Sequence, residues 1–161
     1  MVSIALYQPD IPQNAGNILR LAACLGMSAH VIGPAGFDFS DRSLRRAGMD
    51  YLGEVEIVRH SGWTEFRTWQ AGSGSRLVLI TTLGTSNYTD FAYAPTDILL
   101  FGRESAGVPE SVHQSADARL LIPMRPGLRS LNVASAAAMV AGEALRQTGG
   151  LAVALVGGSA G

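Results

Sequence analysis

Three segments of the chain combine glycines with polar residues, and each directly follows a stretch typical of a β-strand. They are Ile80 to Gly84, Phe101 to Pro109 and Ile122 to Asn132. Glycine lets the backbone approach a ligand closely, and the N–H and C=O groups of such loops can read the edge of an adenine base. Since loops that follow parallel strands meet at one edge of a sheet, we expect the three segments to converge on one ligand site.

A fourth polar segment, Pro9 to Arg20, follows the first predicted strand. Asn14 and Asn17 are both suited to cap the following helix, so a purely structural role would explain both residues. Arg20 is placed about one turn into the following helix and can point back over the loop, so spacing alone fits a functional and a structural role equally.

Acid–base and metal chemistry have few candidates in this sequence. Glu104, near a predicted helix start, either takes part in catalysis or accepts backbone hydrogen bonds that shape its loop. His30, His60 and His113 have no identifiable partner, so the sequence does not support a histidine base. No spacing of Cys, His or carboxylates predicts a metal site.

The elements that must position these residues alternate between strand-like and helix-like patterns, which predicts an α/β fold with a mainly parallel sheet flanked by helices. We expect one domain over residues 1–150 and a Gly-rich tail over 151–161, which is either frayed or a short strand. The predicted strands are Ser3–Tyr7, Ala29–Ile32, Val55–Arg59, Leu77–Thr81, Ile98–Phe101 and Leu120–Ile122.

Four helices are predicted between and after these strands. The first runs from near Gly16 to a stop at Gly26, and the second starts at Ser40 or Asp41. The third follows Ser61, and we expect its aromatic residues to belong to the core. The last, from about Leu131 to Gln147, is rich in alanine, so another backbone can approach it closely, either within the domain or across a two-fold axis. The small residues concerned are Ala134, Ala137, Ala138 and Ala141.

Composition limits the class of protein. The 161 residues are 47% hydrophobic and 16% charged, which excludes a solvated disordered chain. The net charge of −1 means that nucleic-acid binding would have to use local arginine clusters. The single Cys24, the absence of a signal-like start and the absence of a long uninterrupted apolar stretch predict a cytoplasmic protein without a membrane segment.

Three motifs in order resemble those of the SpoU-type SPOUT RNA 2′-O-methyltransferases. They are Asn14-x-Gly16-x-x-x-Arg20, Gly102-x-Glu104-x-x-Gly107, and Ile122-Pro123-Met124 with Ser130-Leu131-Asn132. Each motif alone is weakly specific, but their order and spacing match over nearly the whole chain. The segment from Arg45 to Tyr51 further resembles the small tRNA (cytidine/uridine-34-2′-O)-methyltransferases, which consist of the catalytic domain alone. Relatives often carry Pro where this chain has Arg103.

The resemblance implies a trefoil knot in the C-terminal third, an obligate homodimer and a bent S-adenosylmethionine (SAM) bound by the three loops, without a metal. It implies that SAM contacts Ile80, Gly102, Ile122 and Ser130, with Leu131 nearby. It places Arg20 beside the reacting hydroxyl. A guanidinium stays protonated near neutral pH, so it is better suited to hold a phosphate or stabilise an alkoxide than to act as a base.

The substrate implied by the resemblance is a tRNA, methylated at the wobble pyrimidine of the anticodon loop. Asn132 would orient the ribose or stabilise the knot, and Asn14 and Glu104 would complete the catalytic group. Two arginine clusters would contact RNA phosphates. These clusters are Arg42, Arg45, Arg46, Arg125 and Arg129.

Three alternatives stay open at this point. A nucleotide-dependent oxidoreductase would need a Gly-x-Gly-x-x-Gly turn after the first strand, where this chain has Gln8-Pro9-Asp10-Ile11-Pro12. A non-catalytic RNA-binding module would keep the arginines but has no need of three ligand loops. Another tRNA site or a ribosomal RNA site is the third alternative, although an rRNA target would more usually accompany an additional RNA-binding domain.

Overall fold

A seven-stranded sheet, in which every paired strand is parallel, forms the centre of the protein. The structure is a computed structural model that describes residues 1–46 and 50–151. The strands are β1 (Ser3–Tyr7), β2 (Ala29–Ile32), β3 (Ile57–His60), β4 (Leu77–Ile80), β5 (Ser86–Asn87), β6 (Ile98–Phe101) and β7 (Ala118–Leu121). Their spatial order is β3-β2-β1-β6-β4-β7-β5, so the α/β fold with a parallel sheet is confirmed.

The predicted strands agree with the structure where the apolar run is fully buried, as in β1, β2 and β6. The bounds differ at β3, since Val55 is buried but precedes the strand, and at β7, which ends before Ile122. Pro123 follows Ile122 and has no N–H to offer to a continuing ladder. The sequence analysis missed β5, whose two polar residues carry no periodic signal.

The first helix, α1 (Pro12–Leu25), begins four residues earlier than predicted and ends as predicted at Gly26, which has a left-handed φ of 66°. Ile11 is the N-cap and Pro12 opens the first turn. The interpretation of Asn14 and Asn17 as caps is therefore wrong, because both lie inside the helix. Asn14 is instead buried, and its side-chain amide does not cap the helix.

Four more helices complete the two outer layers. Ser40 caps the start of α2, since Ser43 N–H donates to Ser40 Oγ at 3.2 Å. Ser40 is one of the two predicted starts of this helix. The short α4 begins directly after Pro109, which agrees with the helix start predicted near Glu104. Residues 47–49 and 152–161 lie outside the described part, and they include the middle of the Arg45–Tyr51 motif and nearly all of the predicted tail. The helices are α2 (Asp41–Arg46), α3 (Trp63–Ser73), α4 (Glu110–Ser115) and α5 (Val133–Thr148).

Helices α1 and α5 pack against one face of the sheet, and α3 and α4 pack against the other. Ala137 and Ala141 of α5 are fully buried in the first core, whereas Ala138 is exposed. The small residues of α5 thus serve packing within the chain at two of the predicted positions. Within the described residues, no helix is both long and apolar enough to cross a membrane.

Two histidines form a buried pair, so the expectation that they lack partners is wrong for His30 and His60. His30 Nδ1 lies 3.1 Å from His60 Nε2, between β2 and β3, and Trp69 of α3 packs on both rings. Burial, followed by repulsion from His60, lowers the pKa of His30 to about 4. The pair is therefore neutral at physiological pH. Phe66 of α3 is buried in the core as predicted and Trp63 packs against that core, whereas Trp69 is 39% exposed.

A buried ion pair fixes the start of β6. Asp97 is fully buried and accepts hydrogen bonds from Arg76 Nε and Nη2, both at 2.8 Å, and from Ala94 N–H at 2.8 Å. Arg76 also lies over the ring of Phe91, with 5.0 Å between its guanidinium carbon and the ring centroid. A buried carboxylate without a counter-charge destabilises the folded state, so the Arg76–Asp97 pair stabilises the start of β6. The segment that follows β6 is one of the three predicted ligand loops.

We expect Arg76→Met to lower the free energy of unfolding by about 3 kcal/mol or more, because it leaves the Asp97 carboxylate buried without a counter-charge. The matched control is Arg59→Met, which removes the exposed Arg59–Asp41 pair at 2.9 Å and should cost at most about 1 kcal/mol. Urea unfolding at pH 7 measures both values. Equal losses in the two variants would contradict the role assigned to Arg76.

Candidate functional site

A cavity of about 460 Å³ opens at the carboxyl ends of β4, β6 and β7. Its walls come from the segments that follow these strands and from the first turns of α1 and α5. The three segments that the sequence singled out therefore do converge. The volume falls in the range of roughly 300–1,000 Å³ that is usual for small-molecule sites.

Eight of the predicted site residues line this cavity. Five are the predicted cofactor contacts and three belong to the predicted catalytic group, so one surface carries both sets. They are Ile80, Gly102, Ile122, Ser130, Leu131, Asn14, Glu104 and Asn132.

Backbone geometry shapes the wall formed by the β6–α4 loop. Arg103 and Gly107 exchange two hydrogen bonds, N–H to O at 2.9 Å and 2.8 Å, which closes the intervening residues into a tight turn. Gly107 has a left-handed φ of 63°. A Cβ on Gly102 would lie 2.7 Å from the Gly107 carbonyl carbon, so only glycine fits there.

Two asparagines join the start of α5 to the start of α1. Asn132 Oδ1 accepts hydrogen bonds from Ala134 N–H at 2.8 Å and Ser135 N–H at 3.3 Å, and so caps α5. Asn132 Nδ2 donates to Asn14 Oδ1 at 3.0 Å. The Asn132 side chain thus caps the start of α5 and also binds the buried Asn14, while both amides keep further hydrogen-bonding capacity.

Glu104 faces Asp10 across the boundary between the β1–α1 and β6–α4 loops. Asp10 N–H donates to Glu104 Oε2 at 3.3 Å. The adjacent Glu104 carboxyl, followed by the Ser105 hydroxyl and the Arg103 charge, lowers the pKa of Asp10 to about 2. Burial, followed by the adjacent Asp10 carboxyl, raises the pKa of Glu104.

Arg103 and Ser105 complete the contacts of Asp10. Arg103 Nε lies 3.6 Å from Asp10 Oδ2, its Nη1 donates to Gln8 Oε1 at 3.3 Å, and Ser105 Oγ donates to Asp10 Oδ2. Gln8 adopts a φ of 42°, uncommon for a residue with a side chain. Asp10 and Ser105 were missed as site residues, because contacts between two distant loops leave no pattern in either segment alone.

Arg20 does not line the cavity. It is exposed on α1, and its guanidinium carbon lies 5.0 Å from the centroid of the Tyr51 ring, a cation–π arrangement. The structure thus separates Arg20 from the other predicted catalytic residues. The position of Arg20 beside the reacting hydroxyl, which the resemblance implies, stays a prediction.

The five predicted RNA-binding arginines are all exposed and fall on two elements, α2 and the segment after β7. Arg45 lines a separate shallow cavity of about 400 Å³ together with Arg59 and Asp41. The exposed positions leave all five guanidinium groups accessible to a polyanion.

Chemically, the cavity offers backbone groups and apolar side chains for a flat ligand, two amides for orientation, and one ionisable carboxyl. Within residues 1–46 and 50–151, no group of three or more His, Cys, Asp or Glu side chains could hold a metal ion. Glu104 is the carboxyl side chain on the described cavity wall. This arrangement suits a positioned transfer between two bound reactants, with Glu104 available for a proton.

Known proteins of similar sequence are RNA methyltransferases. A tRNA (cytidine(34)-2′-O)-methyltransferase of Beijerinckia indica is 66% identical over 149 residues, which cover 92% of this chain and 93% of the relative. A tRNA (cytidine(34)-2′-O)-methyltransferase of Escherichia coli is 41% identical over 92% of this chain and 95% of its own length.

The fold is also shared with solved structures. One, described as structural insights into the 2-OH methylation of C/U34 on tRNA, superposes with a TM-score of 0.86 at 41% identity and covers 91% of this chain and 95% of that chain. The profile of the SpoU rRNA Methylase family matches residues 1–142. Because this match spans most of the chain, including all the cavity-lining segments, the protein belongs to the SpoU methylase family.

Proposed function

We propose that the protein transfers a methyl group from SAM to the ribose 2′-oxygen of the wobble pyrimidine, position 34, in the anticodon loop of a tRNA. The observation that carries this proposal is the convergence of the three motif loops on one cavity, in a chain 66% identical to a tRNA (cytidine(34)-2′-O)-methyltransferase. We further propose that it acts in the cytoplasm as a homodimer with a C-terminal trefoil knot.

The residues on the cavity wall fit SAM. Gly102 brings backbone close to the ligand space, and Ile80, Ile122 and Leu131 supply apolar surface for a base, so these residues with Ser130 would hold the cofactor. An AdoMet-bound rRNA methyltransferase of Sinorhizobium meliloti shares the fold, with a TM-score of 0.80 at 30% identity. Bound SAM supplies an electrophilic methyl group on a sulfonium, and the protein supplies position and proton handling.

The polar residues then take separate roles. Asn14 and Asn132, locked together by their hydrogen bond, would orient the ribose. Arg20 would hold a phosphate of the RNA from outside the cavity, and the five exposed arginines would contact further phosphates. A non-catalytic RNA-binding module explains the arginines but not the cavity. A different tRNA or rRNA position remains the alternative that the first experiment decides.

Incubation of the protein with SAM and unmodified tRNAs should place a 2′-O-methyl group on nucleotide 34, detected by mass-spectrometric mapping. Methylation found only outside the anticodon loop would overturn the substrate assignment.

Arg20→Ala should lower the single-turnover rate of methylation by about 10²-fold, because it removes a charge-assisted contact worth about 3 kcal/mol. A full rate in Arg20→Ala would overturn the role of Arg20.

Gly102→Ala should weaken SAM binding by about ten-fold or more, since the new Cβ would lie 2.7 Å from the Gly107 carbonyl carbon and force the loop out of place. Gly72→Ala in α3 is the matched control, because a Cβ there meets no atom within 4 Å. Isothermal calorimetry with SAM compares the two. Unchanged affinity in Gly102→Ala would contradict binding at this loop.

The outer side of α5 supports the dimer, because the exposed apolar residue Met139 follows the exposed Ala138 on this helix. We expect the wild type to sediment at about twice its chain mass of 16.9 kDa, and Met139→Glu to shift it toward the monomer. Thr64→Glu, exposed on α3 at the opposite face, is the control. A wild-type monomer at micromolar concentration would contradict the dimer.

A further inference from the structure

Arg103 is the basic side chain on the wall of the cavity. Among the described residues that line it, the other side chains are apolar, neutral and polar or, at Glu104, acidic. In the proposed reaction the acceptor is an RNA, and a ribose that enters the cavity brings the negative charge of its neighbouring phosphates. A guanidinium binds phosphate well, because its planar fork of N–H donors matches the phosphate oxygens. Arg103 is therefore a candidate for contact with the RNA.

The backbone and the side chain of Arg103 are both held in place. Arg103 N–H donates to Gly107 O at 2.9 Å, and Gly107 N–H donates to Arg103 O at 2.8 Å. At the tip of the side chain, Nη1 donates to Gln8 Oε1 at 3.3 Å, and Nε lies 3.6 Å from Asp10 Oδ2. A side chain that is fixed at both ends loses little conformational freedom when a ligand binds, so this guanidinium is preorganised.

These contacts leave most of the donors of the Arg103 guanidinium unused. An arginine carries five N–H donors, and within residues 1–46 and 50–151 the side chain of Arg103 has one hydrogen bond, to Gln8. Nε is buried without a hydrogen-bond partner, since 3.6 Å to Asp10 is too long for one. Nη2 has no partner in the described part of the chain either, but it is not buried, and the side chain is 34% exposed. Nη2 is therefore accessible to a ligand.

The position of Arg103 favours the RNA over the cofactor as this ligand. In the sheet, β6 lies between β1 and β4, with β7 beyond β4. The Arg103 side chain contacts the segment after β1, where Asp10 lies. The predicted cofactor contacts Ile80 and Ile122 lie at the ends of β4 and β7, on the opposite side of β6. Asn14, which we expect to orient the ribose, belongs to the helix that follows β1.

We propose that Arg103 binds a phosphate of the RNA next to the nucleotide whose ribose is methylated. This inference rests on the proposed function. It adds a substrate contact on the cavity wall to the exposed arginines that lie outside it. Gln8 and Asp10 hold the guanidinium in place, and the accessible Nη2 donates to a phosphate oxygen.

The charges around Arg103 explain why a cation is needed at this place. Asp10 and Glu104 are acidic, and Asp10 N–H donates to Glu104 Oε2, so both carboxyl side chains belong to the same loop boundary. A carboxylate repels an approaching phosphate. Arg103 offsets the charge of Asp10 at 3.6 Å and supplies the donors that the phosphate needs.

Two binding measurements on Arg103→Gln test the inference. Fluorescence anisotropy gives the affinity for an unmodified tRNA over a series of KCl concentrations, and calorimetry gives the affinity for SAM. The variant should bind tRNA about ten-fold more weakly, because it loses a charge-assisted hydrogen bond. The slope of log K against log salt should fall by about 0.7, the value for one phosphate contact to a single strand. SAM affinity should stay unchanged.

A matched change in the RNA identifies the phosphate. The tRNA is assembled from synthetic halves, and a neutral methylphosphonate replaces one phosphate of the anticodon loop at a time. At a phosphate next to nucleotide 34, the wild type should lose about ten-fold in affinity. Arg103→Gln should lose nothing further there, because the contact is already absent.

Arg67→Gln is the matched protein control, because it removes the same charge from α3, on the other face of the sheet and outside the cavity wall. It should leave the tRNA affinity and the salt slope unchanged. Arg103→Lys keeps a positive charge beside Asp10 but loses the planar fork. It should retain the salt slope and bind tRNA several-fold more weakly.

Unchanged tRNA affinity in Arg103→Gln would overturn the inference, and a loss of SAM affinity alone would point to the SAM carboxylate instead. If both affinities fall, Arg103→Lys decides: weaker tRNA binding with normal SAM binding supports the inference, and normal tRNA binding overturns it. The failure of the proposed function gives a different result, namely no methylation of nucleotide 34 by the wild type. The methylphosphonate series still measures in that case whether Arg103 contacts the RNA.

Discussion

The parallel alignment of four neighbouring strands is the constraint on which the site depends. β1, β6, β4 and β7 lie side by side and point the same way, so the segments that follow them emerge at one edge of the sheet. Residues as distant in the chain as Asn14 and Asn132 meet there at 3.0 Å. The buried apolar runs of these strands fix the alignment, and the site follows from it.

Adjacency of β1 and β6 also sets the electrostatics of the cavity. It brings Asp10 against Arg103 and Glu104, three charged residues at a partly buried loop boundary. In such surroundings neither carboxyl keeps its ordinary pKa: burial raises the pKa of Glu104, while the adjacent Glu104 carboxyl, the Ser105 hydroxyl and the Arg103 charge lower the pKa of Asp10. The boundary between the two loops thus shifts the pKa values of two neighbouring carboxyl groups in opposite directions.

The sequence predicted the fold class, the convergence of three loops and eight cavity residues, because buried strands and glycine-rich strand ends carry local signals. It did not predict that Asn14 lies inside α1, since Pro12 and an apolar N-cap open this helix without a capping side chain. The Asp10–Arg103 contact joins residues that lie far apart in the chain, and the His30–His60 pair joins neighbouring strands. Such contacts depend on strand order, which periodicity does not encode.

The geometry of α1 determines where Asn14 and Arg20 lie relative to the cavity. Asn14 and Arg20 are six positions apart, which in a regular helix is about 9 Å along the axis and about 240° around it. Asn14 therefore faces the cavity, while Arg20 faces outward onto Tyr51. The rigid helix thus separates the Arg20 guanidinium from the cavity wall on which Asn14 lies, within a single chain.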